Sequence, residues 1–141
     1  MHGDRMINEI KSIFGMSTVL LLLSACVDTP MPDQVDGAVF FGANCVICHG
    51  ENGMGDGPTD GLAVKPADLT KLSRENGGTF PAARALSYVY GDPELGHLAR
   101  VMPQFGGAMA DDLVPVEIDG ILTPTPRILA GLLSYLESIQ K

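Results

Sequence analysis

The chain is short of the residues that staple or anchor many small domains. Its 141 residues include three cysteines, three histidines and no tryptophan. The pair Cys45/Cys48 therefore lacks the Trp-Cys-Gly-Pro-Cys context of a thioredoxin-type dithiol, and no buried strand pattern precedes it. There is no second C-x-x-C to complete a four-ligand zinc site. Basic residues are scarce, with nine Lys and Arg against seventeen Asp and Glu. Such a balance repels nucleic acid and anionic lipid headgroups, so neither is an expected partner, and it suits a partner with a basic docking surface. No internal repeat is present. The apolar run from Ile13 to Leu23 is too short for a transmembrane helix, which needs about 20 apolar residues.

That run has another use. Arg5 and Lys11 precede it and Leu23-Ser24-Ala25-Cys26 closes it, the order of a secretory signal. The closing tetrad resembles the lipobox of bacterial lipoproteins, in which the cysteine is lipidated and becomes the mature N-terminus. The expected organisation is a signal peptide over 1–25, a lipidated tether over 26–33 containing Pro30 and Pro32, and one domain over 34–141. Removing Asp4, Arg5, Glu9 and Lys11 leaves seven basic and fifteen acidic residues, so the mature chain keeps its net charge of −8.

Cys45-Val46-Ile47-Cys48-His49 is the attachment signature of a c-type haem. Two thiols separated by two residues can add to the two vinyl groups on one edge of a porphyrin, and the next residue then offers an imidazole to the iron. The Gly50–Pro58 run that follows, with Gly53, Gly55 and Gly57, supplies the backbone freedom that wrapping round a flat cofactor requires. With Cys45 and Cys48 on haem and Cys26 on lipid, no disulfide is expected. Haem attachment and lipidation both require export, and the two motifs agree. A single C-x-x-C-H implies one haem.

Other residues take places around this motif. Asp33 is a candidate N-cap for a helix on which Gly37, Phe41 and Cys45 share a face. Pro66, which has no N–H, marks a stretch whose carbonyls are free to accept, and one of them is the candidate partner for the second ring nitrogen of His49. Pro81 to Tyr90 reads as a helix closed by Gly91, with Leu86, Val89 and Tyr90 inward. Met102, followed by Pro103 and by Gly106-Gly107, is the candidate second axial ligand, with Met109 as its main competitor and His97 as the alternative for bis-histidine ligation. Lys65 and Arg100 are candidate partners for haem propionates, or solvated charges. Val114, Val116 and Ile118 alternate before Asp119-Gly120, which admits a small hairpin with Pro115 at an edge. Thr125 as cap and Pro126 as first residue open a helix to Gln140 with an apolar stripe through Ile128, Leu132, Tyr135, Leu136 and Ile139. Gly131 inside that helix points to a close helix crossing.

In order and separation, the C-x-x-C-H at Cys45, Pro66, Met102-Pro103 and the terminal helix make the chain similar to a class I cytochrome c. The resemblance implies an all-α fold of a few helices round one covalently attached haem c, with the N- and C-terminal helices crossing at Gly37 and Phe41 against Leu132 and Tyr135. It implies that the proline at 66 places the carbonyl accepting from the axial histidine. The Gly-rich loop and lipobox resemble those of membrane-tethered bacterial members; residues 110–126 are longer than in compact ones. The expected function is a periplasm-facing, membrane-tethered carrier of single electrons between redox proteins, not an enzyme. The alternatives are the haem subunit of a larger oxidoreductase, and a haem ligand sensor or peroxidase, which needs an open iron site.

Overall fold

Asp33 starts the first helix. Its Oδ1 accepts from the backbone N–H of Val35 at 2.7 Å and of Asp36 at 3.2 Å, while the Asp36 carboxylate accepts from the N–H of Asp33 at 3.0 Å. This reciprocal capping box satisfies donors that the first turn of any helix leaves unpaired. The helix it opens is α1 (Gln34–Asn44). Gly37, Phe41 and Cys45 are all buried, as their shared face requires. After a one-residue break at Cys45 the chain resumes as the single turn α2 (Val46–His49). The computed structural model describes residues 30–58, 60–62, 64–91 and 102–141, and Met31–Lys141 form one compact unit.

A 3-10 turn (Leu69–Lys71) leads into the short helix α3 (Leu72–Glu75), and α4 (Ala82–Tyr90) follows. Gly91 ends α4 in the left-handed conformation at φ 99°, which favours glycine. Pro81 caps α4 rather than opening it. Val89 is buried and Leu86 packs on the core, but Tyr90 is 41% exposed rather than inward. Its ring instead forms the surface on which Gly106 lies, where a side chain of any size would collide with it.

The last helix, α5 (Arg127–Ser138), crosses α1. A Cβ built on Gly37 would overlap the carbonyl group of Gly131 and lie 2.7 Å from the Cβ of Tyr135. The two helices therefore meet backbone to backbone, and Gly131 is accounted for. Beside this contact the rings of Phe41 and Tyr135 sit 5.1 Å apart, tilted by 47°. Phe40, Phe41, Cys45, Val89, Leu129, Leu132 and Leu136 form the core. Burying each large apolar side chain contributes about 1.5–3 kcal/mol, so this contact anchors the domain.

The fold is mostly helical but not all-α. β1 (Leu113–Ile118) and β2 (Ile121–Pro126) form an antiparallel hairpin with Ile118 opposite Ile121. Asp119 and Gly120 have φ of 51° and 80°, the two-residue turn whose twist matches that of paired strands. Val114 and Ile118 are buried, and both strands contact α5. The N–H of Arg127 donates to Asp112 O at 2.8 Å, which fixes the alternation of the ladder. Pro115, Pro124 and Pro126 then all fall at pairs that exchange no hydrogen bonds, where a backbone N–H points away from the partner strand. Proline removes three of the six outward donors.

Thr125 does not cap α5. It is wholly buried, and its hydroxyl donates to Thr123 O at 3.0 Å; Pro126 occupies the cap position without a side-chain bond. The strand runs straight into the helix, so no loop residue is placed to turn a side chain back. Among the described residues no helix is long and apolar enough to cross a membrane.

Candidate haem site

The site is built on α2. His49 N–H donates to Cys45 O at 2.9 Å and Cys48 N–H to the same carbonyl at 3.1 Å, which places the two cysteines about one helical turn apart with the imidazole directly after them. Neither cysteine is in a disulfide. Cys45 is 8% exposed and belongs to the core cluster, and Cys48 is half-buried. Burial, with a smaller contribution from the neighbouring Cys48, pushes the Cys45 thiol up to about 11. A dithiol oxidoreductase needs the reverse, a cysteine held as thiolate near neutral pH.

His49 Nδ1 lies 3.0 Å from the carbonyl oxygen of Ala67. A carbonyl only accepts, so Nδ1 carries the proton and the lone pair of Nε2 is left for a metal. The acceptor belongs to Ala67, one residue beyond Pro66. The Pro66 carbonyl instead faces Gly55, whose position admits no Cβ: one would overlap that oxygen and come within 2.9 Å of Ala67 O. The signal for Ala67 in the sequence was the proline before it; nothing there fixed which carbonyl would point inward.

The glycine loop holds this arrangement by packing on the chain itself. A Cβ on Gly57 would come within 2.5 Å of Cys48 O and 2.8 Å of Ile47 O. Gly55 N–H donates to His49 O at 2.8 Å, and Leu69 N–H donates to Gly53 O at 2.7 Å. The glycines thus press the loop against the backbone of α2 on one side and of residues 66–69 on the other, a tighter use than wrapping a cofactor.

Met102 and Met109 are both half-buried, and both pack against the cluster that contains Cys45. The segment after Met102 is pinned: Phe105 N–H donates to Val89 O at 3.0 Å, and the Phe105 ring meets Phe40 edge-on at 5.4 Å. Lys65 is exposed. Cys26, His97 and Arg100 lie outside the described residues.

The donor set fits a c-type haem: two undisulfided thiols about one turn apart, an imidazole with Nε2 available, and thioethers on the same core. A family model described as Cytochrome c matches residues 34–122, well over half of the chain. The chain belongs to the cytochrome c family. That family binds haem c covalently and uses it for electron transfer. Comparison with curated proteins and with solved structures gives no match.

Proposed function

We propose that this protein is a single-haem electron carrier, tethered by a lipid on Cys26 to a bacterial membrane and exposed to the periplasm. Cys45 and Cys48 hold the cofactor, His49 Nε2 is the first axial ligand and Met102 the second. When bound, haem supplies an iron centre that gains and loses one electron. The observation that carries the reading is the hydrogen bond from His49 Nδ1 to Ala67 O, the partner an axial histidine needs to fix its ring and raise its basicity. Ligation by Met102 rests on its packing against the Cys45 cluster and on the pinned loop behind it; a Met/His pair raises the reduction potential. The net charge of −8 favours redox partners that present basic surfaces through small, short-lived interfaces.

Absorption spectra of the c-type-matured protein and its Met102→Ala variant test the ligand set. The expected result is a low-spin c-type spectrum with the far-red sulfur-to-iron band, lost in the variant. Retention of the band transfers the role to Met109. A high-spin native spectrum overturns the carrier reading in favour of a sensor or peroxidase.

A second reading, a haem subunit of a larger oxidoreductase, is favoured by the hairpin, where Ile121 and Leu122 are 68% and 67% exposed. Co-elution of a catalytic subunit from detergent-solubilised native membranes is its test.

A further inference from the structure

We propose that Gln140 is a positioning residue for His49, acting through the backbone of residues 67–73. The proposal rests on the reading that His49 ligates the haem iron. Gln140 lies just beyond α5, and its side-chain amide makes three hydrogen bonds. Nε2 donates to Leu136 O at 2.6 Å and to Leu69 O at 2.8 Å, and Oε1 accepts from Ser73 N–H at 2.8 Å. Two carbonyls and one N–H around a single amide leave only one orientation that satisfies all three. Next to it, Lys141 N–H donates to Thr70 O at 2.9 Å. The residues after α5 thus grip the 69–73 segment at Leu69, Thr70 and Ser73.

What is gripped matters for His49. Ala67, whose carbonyl accepts the hydrogen bond from His49 Nδ1–H, is exposed and lies two residues before Leu69. Water competes for both partners of an exposed hydrogen bond, so the bond persists only if the backbone on each side is held in place. On the histidine side, α2 follows directly from α1. On the carbonyl side the segment is held by Leu69 N–H on Gly53 O, by the packing of Gly55 on Pro66 and Ala67 and of Leu69 on the core, and by the bonds of Gln140 and Lys141. Of these hydrogen bonds, those of Gln140 and Lys141 are the ones that reach the C-terminal end of α5, and α5 packs against the same α1 that leads into Cys45. The circuit runs from α1 to α5, through Gln140 to Leu69, back to Ala67 and across to His49. Opening it at Gln140 leaves the carbonyl freer to drift, and His49 becomes a poorer electron donor to iron.

The test uses the full-length haem-loaded protein. Gln140→Met keeps the bulk of the side chain and removes all three bonds; Gln140→Glu sets a carboxylate against two carbonyls. Gly120→Ala, at the hairpin turn, serves as a control that loses stability without touching residues 67–73. Two properties are read: the reduction potential, and the hydrogen exchange rate of the His49 ring N–H by paramagnetic NMR. Gln140→Met is expected to raise the potential, and both Gln140 variants to exchange the ring proton about fivefold faster, with neither change in the control; the added carboxylate of Gln140→Glu by itself lowers a potential, so that variant is read by exchange alone. A Gln140→Met protein that melts earlier yet keeps the native potential and exchange rate overturns the proposal and reduces Gln140 to a structural staple, as does a native exchange rate in Gln140→Glu. If Gln140→Met fails to accumulate, the exchange rate in Gln140→Glu decides alone. Failure of the haem reading shows separately, as a wild-type protein without a c-type spectrum.

Discussion

Alanine in place of Gly37 and of Gly42, five residues apart on α1, is predicted to change stability in opposite directions. Both positions are helical, so each substitution returns about 0.5–1 kcal/mol through helix propensity and lowered unfolded-state entropy. At Gly42 nothing beyond the local helix backbone lies within 4 Å of the new methyl, and that gain is the whole effect. At Gly37 the methyl lands on the Gly131 carbonyl and 2.7 Å from Tyr135 Cβ. The obstacle is backbone, which no rotamer change can move, so α1 and α5 must separate and the Phe41–Tyr135 contact loosens. Overpacking costs about 1–3 kcal/mol, and with backbone on the other side the upper end applies. The net loss is about 2 kcal/mol, or a Tm lower by about 8–16 °C in a domain of this size. Gly131→Ala, whose methyl would meet Gly37 N at 3.1 Å and Asp33 O at 3.2 Å, should fall between the two. Thermal unfolding of the haem-loaded protein followed by far-UV circular dichroism gives the ranking. Equal Tm values for Gly37→Ala and Gly42→Ala would refute the backbone contact between the helices.

The remaining predictions concern the start of α1 and the loop near His49. Asp33→Ala removes the capping box and should cost about 1 kcal/mol in urea unfolding, with the visible spectrum unchanged because the haem motif lies at the other end of the helix. Hydrogen bonds from Lys71 and then Thr70 hold the Asp68 carboxylate down at about 2, below its ordinary 3.8. The folded chain therefore keeps Asp68 ionised to a lower pH than the unfolded chain, and unfolding takes up a proton between those values. The stabilisation is complete above about pH 4 and fades as pH falls through about 2, with its size limited because the side chain is partly exposed. Urea midpoints between pH 5 and pH 2 should fall more steeply for the native chain than for Asp68→Asn.

Much of the helical frame is written locally. Asp33 three residues before Asp36, and glycine, phenylalanine and cysteine at four-residue steps, define a capped helix and its inner face without reference to the rest of the chain. Gly131, costly inside an exposed helix, implied a close neighbour, and that neighbour is Gly37. The attachment motif is local too. What depended on the path of the backbone was less legible. Pro66 marked the right loop, but the carbonyl that meets His49 belongs to Ala67, because peptide orientation within an irregular segment has no sequence period. Thr125 has the chemistry of a cap, yet its position in a strand that enters the helix directly buries it. Asp119-Gly120 gave the turn, while the resemblance to an all-α family argued against the strands it joins.

The placement of Pro115, Pro124 and Pro126 makes the hairpin a self-terminating insertion. A two-stranded ribbon ordinarily invites a third strand, from another copy or from an unfolded chain, because both margins carry free amide groups. Here Pro115 breaks the middle of the outward row of β1, and Pro124 with Pro126 removes two of the three outward donors of β2, so no register of an incoming strand restores a continuous ladder. The segment between the methionine loop and the last helix can therefore lengthen the surface of a small domain without making it sticky along its backbone. Whatever meets the hairpin must read its side chains.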